Sequence, residues 1–217
     1  MKMAEAILFD LDGTLFDDRQ YIRGGLRHAG SVLAARTGVD LTDELLDAYF
    51  ERGCTESTFD TVLDEHGLST ELVPTLVAAY HDNDADLWPF PDAVSTLDAL
   101  ADTHQLGVIT GGTNGREKLD RLDIADYFQV VSVTAEQNTS KRRSSVFESA
   151  LDAVDVSPTA AVYVGDRPAL DFPQPNRLGM TTVRTTTGRY ATADATGDAR
   201  PDYTVDGVDE LPALVDV

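Results

Sequence analysis

The chain has 217 residues, with 38 Asp and Glu against 17 Lys and Arg, and its formal net charge at pH 7 is −21. A surface this acidic repels nucleic acids and anionic membranes, so we expect neither as a partner. One cysteine excludes an intrachain disulfide framework, and no apolar run approaches the roughly 20 residues of a membrane span. We therefore expect a cytoplasmic enzyme, a monomer or a small homo-oligomer, with no secretion signal at its start.

The excess of acid has two possible origins. Only three of the bases are lysines, and 14 are arginines. A protein from a high-salt cytoplasm shows this balance, because salt screens the self-repulsion of such a surface. An ordinary acidic protein from a GC-rich genome also favours Arg over Lys. We favour the halophilic interpretation.

Two carboxylates follow the first apolar segment of the chain. Residues 6–9 predict a buried parallel strand, Asp10 and Asp12 come directly after it, and Gly13 marks its end. Open α/β sheets bind ligands at the carboxyl ends of their strands. Like charges this close need a cation or a shared proton, and Mg²⁺ suits a site made of oxygen atoms. The alternative is a solvated exit from strand to turn.

A long insertion separates this strand from the next. A βαβ unit needs about 30 residues, whereas the gap here, from residue 12 to residue 106, is about three times longer. Apolar residues recur at helical spacing in four stretches, and Gly38, Gly53 and Gly67 are typical helix ends. The sequence therefore predicts a four-helix domain over 17–88, inserted into a core formed by 1–16 and 89–217.

The rest of the chain alternates between predicted helices and strands. The expected helices cover residues 91–103, 115–122, 144–154 and 170–178, with a last one from Asp209. The expected strands cover residues 106–110, 129–133, 161–165, 181–185 and 203–205, and residues 187–202 read as a polar surface loop. This alternation predicts an α/β core with a doubly wound, Rossmann-like parallel sheet.

Four further polar residues lie at informative places in this pattern. Thr110 ends one predicted strand, Asp166 follows another, Asp171 comes five residues later, and Lys141 stands in a polar stretch. Each has an ordinary explanation as a turn, a helix cap or a solvated surface residue. The order Asp-x-Asp, Thr, Lys, Asp…Asp is more specific than any of its members.

The chain resembles the haloacid dehalogenase-like (HAD) superfamily of hydrolases. Residues 10–14, Asp-Leu-Asp-Gly-Thr, match its first motif; Thr110 matches the second, Lys141 the third, and Asp166 with Asp171 the fourth. The resemblance implies that the inserted helices are a C1 cap, which closes over the site and excludes water.

The residue types and the resemblance suggest the same catalytic roles. Asp10 attacks phosphorus and forms an aspartyl-phosphate, while Asp12 protonates the leaving alcohol and then takes a proton from water. Thr110, Lys141 and backbone amides that include that of Gly111 hold phosphate oxygens.

The implied cofactor is Mg²⁺. Its ligands are Asp10, the carbonyl of Asp12, and Asp166, and Asp171 either supports the metal shell or pairs with Lys141. The dehalogenases of the superfamily lack an acid at the position of Asp12. Because an alkoxide needs a proton on leaving and a halide does not, Asp12 favours phosphate chemistry.

Three functions remain open at this point. We favour a Mg²⁺-dependent phosphatase for a small phosphorylated metabolite. A phosphomutase would use the same aspartyl-phosphate. A non-catalytic binding protein on a HAD fold is the third, favoured mildly by Gly111, Leu170 and Pro173, which depart from the usual motifs, and opposed by the intact acidic and basic positions.

The cap supplies weaker candidates. Four of its side chains, Tyr21, Arg23, His28 and Arg52, are possible substrate contacts, with Arg23 and Arg52 able to neutralise a second anionic group. A solvated helix face is the alternative for each. The scattered histidines at positions 66, 81 and 104 are expected at the surface and not as metal ligands.

Overall fold

The core is built around one six-stranded parallel sheet in a computed structural model that describes residues 4–215. The strands are Ala6–Phe9 (β1), Gln105–Thr110 (β2), Val130–Val133 (β3), Ala161–Gly165 (β4), Thr181–Thr185 (β5) and Tyr203–Val205 (β6). Their order is β3-β2-β1-β4-β5-β6, which is the doubly wound Rossmann order. The predicted fold class is therefore confirmed.

β1 lies at the centre of this sheet. All four of its residues are fully buried because β2 pairs with it on one side and β4 on the other. The chain order reverses between these two neighbours, so the carboxyl end of β1 is the switch point at which such sheets bind ligands. Asp10 follows β1, Thr110 ends β2 and Asp166 follows β4.

Six helices accompany the sheet in the described part of the core. They are Ala93–Ala101, Gly115–Arg121, Ser144–Ala153, Pro168–Asp171, Pro173–Leu178 and Leu211–Val215, here α5 to α10 in chain order after the four helices of the insertion. The expected single helix over 170–178 is wrong, since two short helices meet at Phe172 and Pro173. Proline has no N–H to continue the first helix and suits the first turn of the second.

The inserted helices form a compact unit of their own over Arg19–Asp86. Its helices are Arg19–Thr37 (α1), Thr42–Phe50 (α2), Thr58–Glu65 (α3) and Val73–His81 (α4). Its core consists of aliphatic side chains such as Leu26, Leu33, Leu45, Leu63 and Leu76. The other compact unit contains the described residues up to Asp18 and from Leu87 onward. Below they are called the helical unit and the core unit.

Two local features complete the fold. His104, expected at the surface, is buried in the turn between α5 and β2, where its Nδ1 lies 2.8 Å from Oγ1 of Thr103. Among residues 4–215, no helix is both long and apolar enough to cross a membrane.

Candidate active site

The site begins with a buried ion triad at the carboxyl end of β1. Nζ of Lys141 lies 2.5 Å from Oδ1 of Asp10 and 2.8 Å from Oδ1 of Asp171, and all three side chains are at least nine-tenths buried. The amide of Asp10 donates to the carbonyl of Val164 at 2.8 Å, which fixes Asp10 between β1 and β4. Lys141 precedes α7, so the fold joins residues that are far apart in sequence.

Burial and charge act against each other in this triad. Burial raises the pKa of Asp10 to about 7, although Lys141 opposes the shift. For Lys141, burial by itself would lower the pKa, but Asp10 and Asp171 raise it well above its usual value. Lys141 is thus held as a cation beside Asp10.

Asp171 is fixed on every side. Its Oδ1 accepts from Lys141 and, at 3.4 Å, from the hydroxyl of Tyr163, and its Oδ2 accepts from the amide of Arg167 at 2.8 Å. A Cβ on Gly165 would lie 2.7 Å from the Asp171 carboxyl carbon, so glycine is needed for this approach. Both oxygens of Asp171 are engaged, and its contact with the site is made through Lys141.

The carboxylate of Asp166 differs from that of Asp171 in its hydrogen bonds. Asp166 is 1% exposed, yet neither of its carboxylate oxygens accepts a hydrogen bond from a described residue. Burial, followed by the charges of Asp10, Asp171 and Asp18, raises the pKa of Asp166 to about 8. A buried carboxylate with no partner is costly, and a cation would remove the cost.

The donor set fits a hard divalent cation. One carboxylate oxygen from each of Asp10, Asp166 and Asp171 lies within 4.8 Å of the other two. Two glycines pack against the Asp166 carboxylate, since a Cβ on Gly13 or on Gly188 would collide with Oδ2 of Asp166. Gly13 also has a φ of +87°, which favours glycine at this turn. Oxygen donors are what Mg²⁺ requires.

Asp12 lies in a second network beside the triad. Its Oδ1 lies 2.6 Å from Nζ of Lys118, and its Oδ2 accepts from Oγ1 of Thr110 at 3.1 Å. The Asp12 side chain is 21% exposed, while that of Lys118 is 5% exposed. Thr110, which the sequence predicts to hold a phosphate oxygen, therefore contacts Asp12.

Lys118 was not among the residues singled out from the sequence. It lies in α6, 106 residues from Asp12, and no local pattern marks it. Its one signal was scarcity, since it is one of three lysines in the chain.

Gly111 follows Thr110 and is exposed. Nothing lies within 4 Å of where its Cβ would be. The amide of the next residue, Gly112, donates to Oγ1 of Thr110 at 3.3 Å. The backbone at Gly111 thus remains accessible beside Thr110.

A turn in the expected surface loop reaches this site. Gly188 is buried, and a Cβ on it would lie 2.5 Å from the carbonyl oxygen of Gly13. Nη2 of Arg189 lies 2.8 Å from Oδ2 of Asp18, a buried carboxylate. Arg184 holds the turn by donating to the carbonyls of residues 190, 191 and 193. The sequence pattern did not distinguish this turn from the rest of its loop.

The cap candidates have partners within the helical unit. The guanidinium of Arg23 lies 4.1 Å from the ring centre of Phe50. Arg52 forms ion pairs of 3.0 Å with Asp47 and 2.7 Å with Glu65. The Tyr21 hydroxyl donates to the carbonyl of His81, and His28 is half-buried in α1.

Several known proteins are similar to this chain in sequence and fold. A family model described as haloacid dehalogenase-like hydrolase matches residues 7–185. A glyceraldehyde 3-phosphate phosphatase from Methanopyrus kandleri is 35% identical over 98% of this chain and 97% of that protein. One of the same name from Methanocaldococcus jannaschii is 31% identical, with coverage of 98% and 97%. The crystal structure of a HAD phosphatase from Thermococcus onnurineus is 26% identical, covers 97% of each chain and gives a TM-score of 0.67.

Proposed function

This chain belongs to the haloacid dehalogenase-like hydrolases and is a phosphoric monoester hydrolase, and on this premise we propose that it is a Mg²⁺-dependent phosphatase acting through an aspartyl-phosphate on Asp10. The observation that carries the proposal is the triad of Asp10, Lys141 and Asp171 beside Asp166, a buried carboxylate whose oxygens lack hydrogen-bond donors among the described residues. The triad positions a carboxylate nucleophile, and Asp166 supplies a metal ligand.

In the first half of the proposed reaction, an Asp10 oxygen bonds to phosphorus as the bond from phosphorus to the alcohol oxygen breaks. Asp12 gives its proton to that leaving oxygen. Lys141 and the amide of Gly111 hold phosphoryl oxygens. The Thr110 hydroxyl, which contacts Asp12, completes the group of donors at the ends of β1 and β2.

In the second half, Asp12 takes a proton from a water molecule as the water oxygen bonds to phosphorus. The bond from phosphorus to Asp10 breaks, its electron pair returns to the carboxylate, and inorganic phosphate leaves. Asp10, Asp166 and the carbonyl of Asp12 would hold Mg²⁺. When bound, the ion supplies positive charge that neutralises the carboxylates and the phosphoryl oxygens.

For the substrate, we propose a small sugar phosphate, with glyceraldehyde 3-phosphate as the first to test because two relatives carry that name. We further propose a cytoplasmic protein, monomeric or a small homo-oligomer, that acts on a diffusible ester. The strong negative charge supports this, since it opposes binding to anionic membranes and nucleic acids. Arg23 and Arg52 remain proposed as substrate contacts of the cap.

The test is phosphate release from a panel of phosphate esters that includes glyceraldehyde 3-phosphate, measured with Mg²⁺ and again with a chelator. We expect release that depends on the metal. A ³²P-labelled ester followed by rapid acid quench should leave label on the wild-type protein and none on Asp10→Asn. The matched control is Asp152→Asn, which neutralises an exposed carboxylate of the core unit.

Two outcomes would contradict the proposal. Formation of an isomeric phosphate ester without inorganic phosphate would identify a mutase. Absence of turnover across the panel, with Mg²⁺ bound, would favour a non-catalytic binding protein.

A further inference from the structure

Lys118 makes the shortest contact to the proposed acid–base residue. Its Nζ is 2.6 Å from Oδ1 of Asp12, whereas Oδ2 of Asp12 receives the longer Thr110 bond of 3.1 Å. Oδ1 therefore has the closer, charged contact, and Oδ2 has the longer, neutral one. With both oxygens held in this way, the carboxylate has one orientation about its terminal bond.

The fold brings Lys118 to Asp12 through close packing of α6. The helix begins at Gly115, where a Cβ would lie 2.7 Å from Cγ2 of Thr110 and 2.9 Å from Cγ2 of Val133. A Cβ on Gly112 would lie 2.7 Å from Oδ2 of Asp12 and 3.2 Å from Nζ of Lys118. Glycine at these two positions lets the segment lie against β2 and β3, and Lys118, the fourth residue of α6, then reaches Asp12.

The burial of this lysine calls for an explanation. Lys118 is 4% exposed as a residue, and lysine is rarely buried without a partner. A purely structural ion pair that fastens α6 to the core would account for its burial. Such a pair needs only an acid within reach of α6, and the acid that Lys118 contacts is the carboxylate that moves protons in the proposed reaction.

We propose that Lys118 is a positioning residue that orients Asp12 for both of its proton transfers. This inference rests on the proposed phosphatase function. Lys118 fixes Oδ1, so that Oδ2 faces the leaving oxygen in the first half and the attacking water in the second. Neither half changes the charge or the bonds of Lys118 itself, which acts only through Asp12.

Two esters separate this role from a structural one. p-Nitrophenolate leaves without needing a proton, whereas the alkoxide of glyceraldehyde 3-phosphate needs one. In Lys118→Met, kcat/KM should fall about 10-fold or more for glyceraldehyde 3-phosphate, because general acid catalysis contributes about 10²–10⁴. For p-nitrophenyl phosphate, kcat/KM should stay within about 3-fold, because the first half needs no proton from Asp12.

The second half of the reaction gives an independent test of the role of Lys118. Hydrolysis of the aspartyl-phosphate needs Asp12 as base for either ester, so kcat for p-nitrophenyl phosphate should fall while its kcat/KM does not. A burst of nitrophenolate equal to the enzyme concentration should appear in Lys118→Met and be smaller in the wild type. Lys118→Arg, which keeps a charged donor, should restore part of the loss on glyceraldehyde 3-phosphate.

The matched control is Arg116→Met, which removes an exposed cation from the same helix. It should leave both kcat/KM values close to those of the wild type. Should Lys118→Met fail to fold, the same two ratios are measured on Lys118→Gln, which keeps a hydrogen-bond donor without the charge.

Each remaining outcome counts against the proposal. Equal losses of kcat/KM on both esters would make Lys118 structural and leave the phosphatase function standing. An unchanged Lys118→Met would overturn the positioning role alone. A wild-type protein that releases phosphate from neither ester, with Mg²⁺ present, would overturn the proposed function and the role of Lys118 with it.

Discussion

The core unit and the helical unit both contain a basic side chain between two carboxylates, at nearly the same distances. Lys141 lies 2.5 and 2.8 Å from Asp10 and Asp171, and Arg52 lies 3.0 and 2.7 Å from Asp47 and Glu65. The core side chains are at most 9% exposed, whereas those of the helical unit are 36–55% exposed.

Distance therefore does not decide what these two clusters can do. Water and salt screen the exposed cluster, so its contribution to stability is small. The buried cluster is screened little, and its charges shift pKa values and resist removal of any one partner. Burial makes the same type of contact useful for chemistry in one unit and incidental in the other.

The largest expected effect follows from removing the nucleophile of the buried cluster. Asp10→Asn should lower phosphatase turnover at least about 10³-fold while leaving the circular dichroism spectrum unchanged, because an amide cannot form the acyl-phosphate. Turnover and the spectrum are measured on the same preparation. Substantial turnover by folded Asp10→Asn would remove Asp10 from its proposed role.

A smaller effect should come from the backbone that lines Asp166. In Gly188→Ala the added methyl collides with Oδ2 of Asp166 and displaces it, so Mg²⁺ affinity should fall about 10-fold or more. The measurement is the Mg²⁺ dependence of the unfolding midpoint. Gly111→Ala is the matched control for that affinity, because nothing lies within 4 Å of its added methyl. Equal affinities in the two variants would show that Asp166 does not bind the metal.

The pH dependence of the metal-free protein tests the burial of Asp166 directly. Its folded pKa of about 8 lies above the usual 3.8, so the folded state binds the proton more tightly than the unfolded state. The free energy of unfolding contributed by this group therefore falls as pH rises from about 4 to about 8. With a chelator present, Asp166→Asn should gain stability relative to the wild type between pH 5 and pH 8.

Asp10, with a pKa raised to about 7, adds to the same trend over a lower range. The rise in unfolding midpoint on adding Mg²⁺ should grow over this pH interval, because the metal replaces protons on the same carboxylates. If the difference in unfolding free energy between wild type and Asp166→Asn stays constant with pH, burial does not raise the pKa of Asp166.

Salt should act on the exposed charges of both units and much less on the buried cluster. With a net charge of −21, self-repulsion weakens as the Debye length falls from about 10 Å at 0.1 M to about 3 Å at 1 M salt. The unfolding midpoint at fixed Mg²⁺ and pH should rise by several degrees with KCl, mostly below 1 M. A flat or falling midpoint from 0.1 to 2 M would favour a GC-rich genome over salt adaptation as the origin of the acidity.

The smallest effect is expected at the exposed cluster. Arg52→Ala should lower the unfolding midpoint only slightly, since water and salt screen exposed ion pairs. Denaturant titration of the wild type and the variant measures this loss of stability in low and in high salt. The loss should differ little between the two salt concentrations. A raised KM for an anionic ester in this variant would instead support Arg52 as a substrate contact.

The sequence by itself determined the sheet and the side chains at its strand ends. Short apolar runs bounded by glycine and polar residues locate strands, as for β1, β4 and β5, whose predicted bounds match the structure. Because parallel strands end at one edge, the strand pattern alone predicts that residues such as Asp10, Thr110 and Asp166 lie together. The sequence also predicts the inserted helices, because the helical spacing of apolar residues is a local pattern.

The tertiary structure decided what each of these groups contacts. The pairing of Lys118 with Asp12 joins positions 106 residues apart and depends on how closely α6 packs at Gly115. Packing between distant segments also brings Gly188 against Asp166 and buries His104. The same packing leaves the Asp166 carboxylate without a hydrogen-bond donor among the described residues. Residue type and periodicity record which face of an element is buried, but the partner of a buried charge is set by neighbours that the local sequence does not contain.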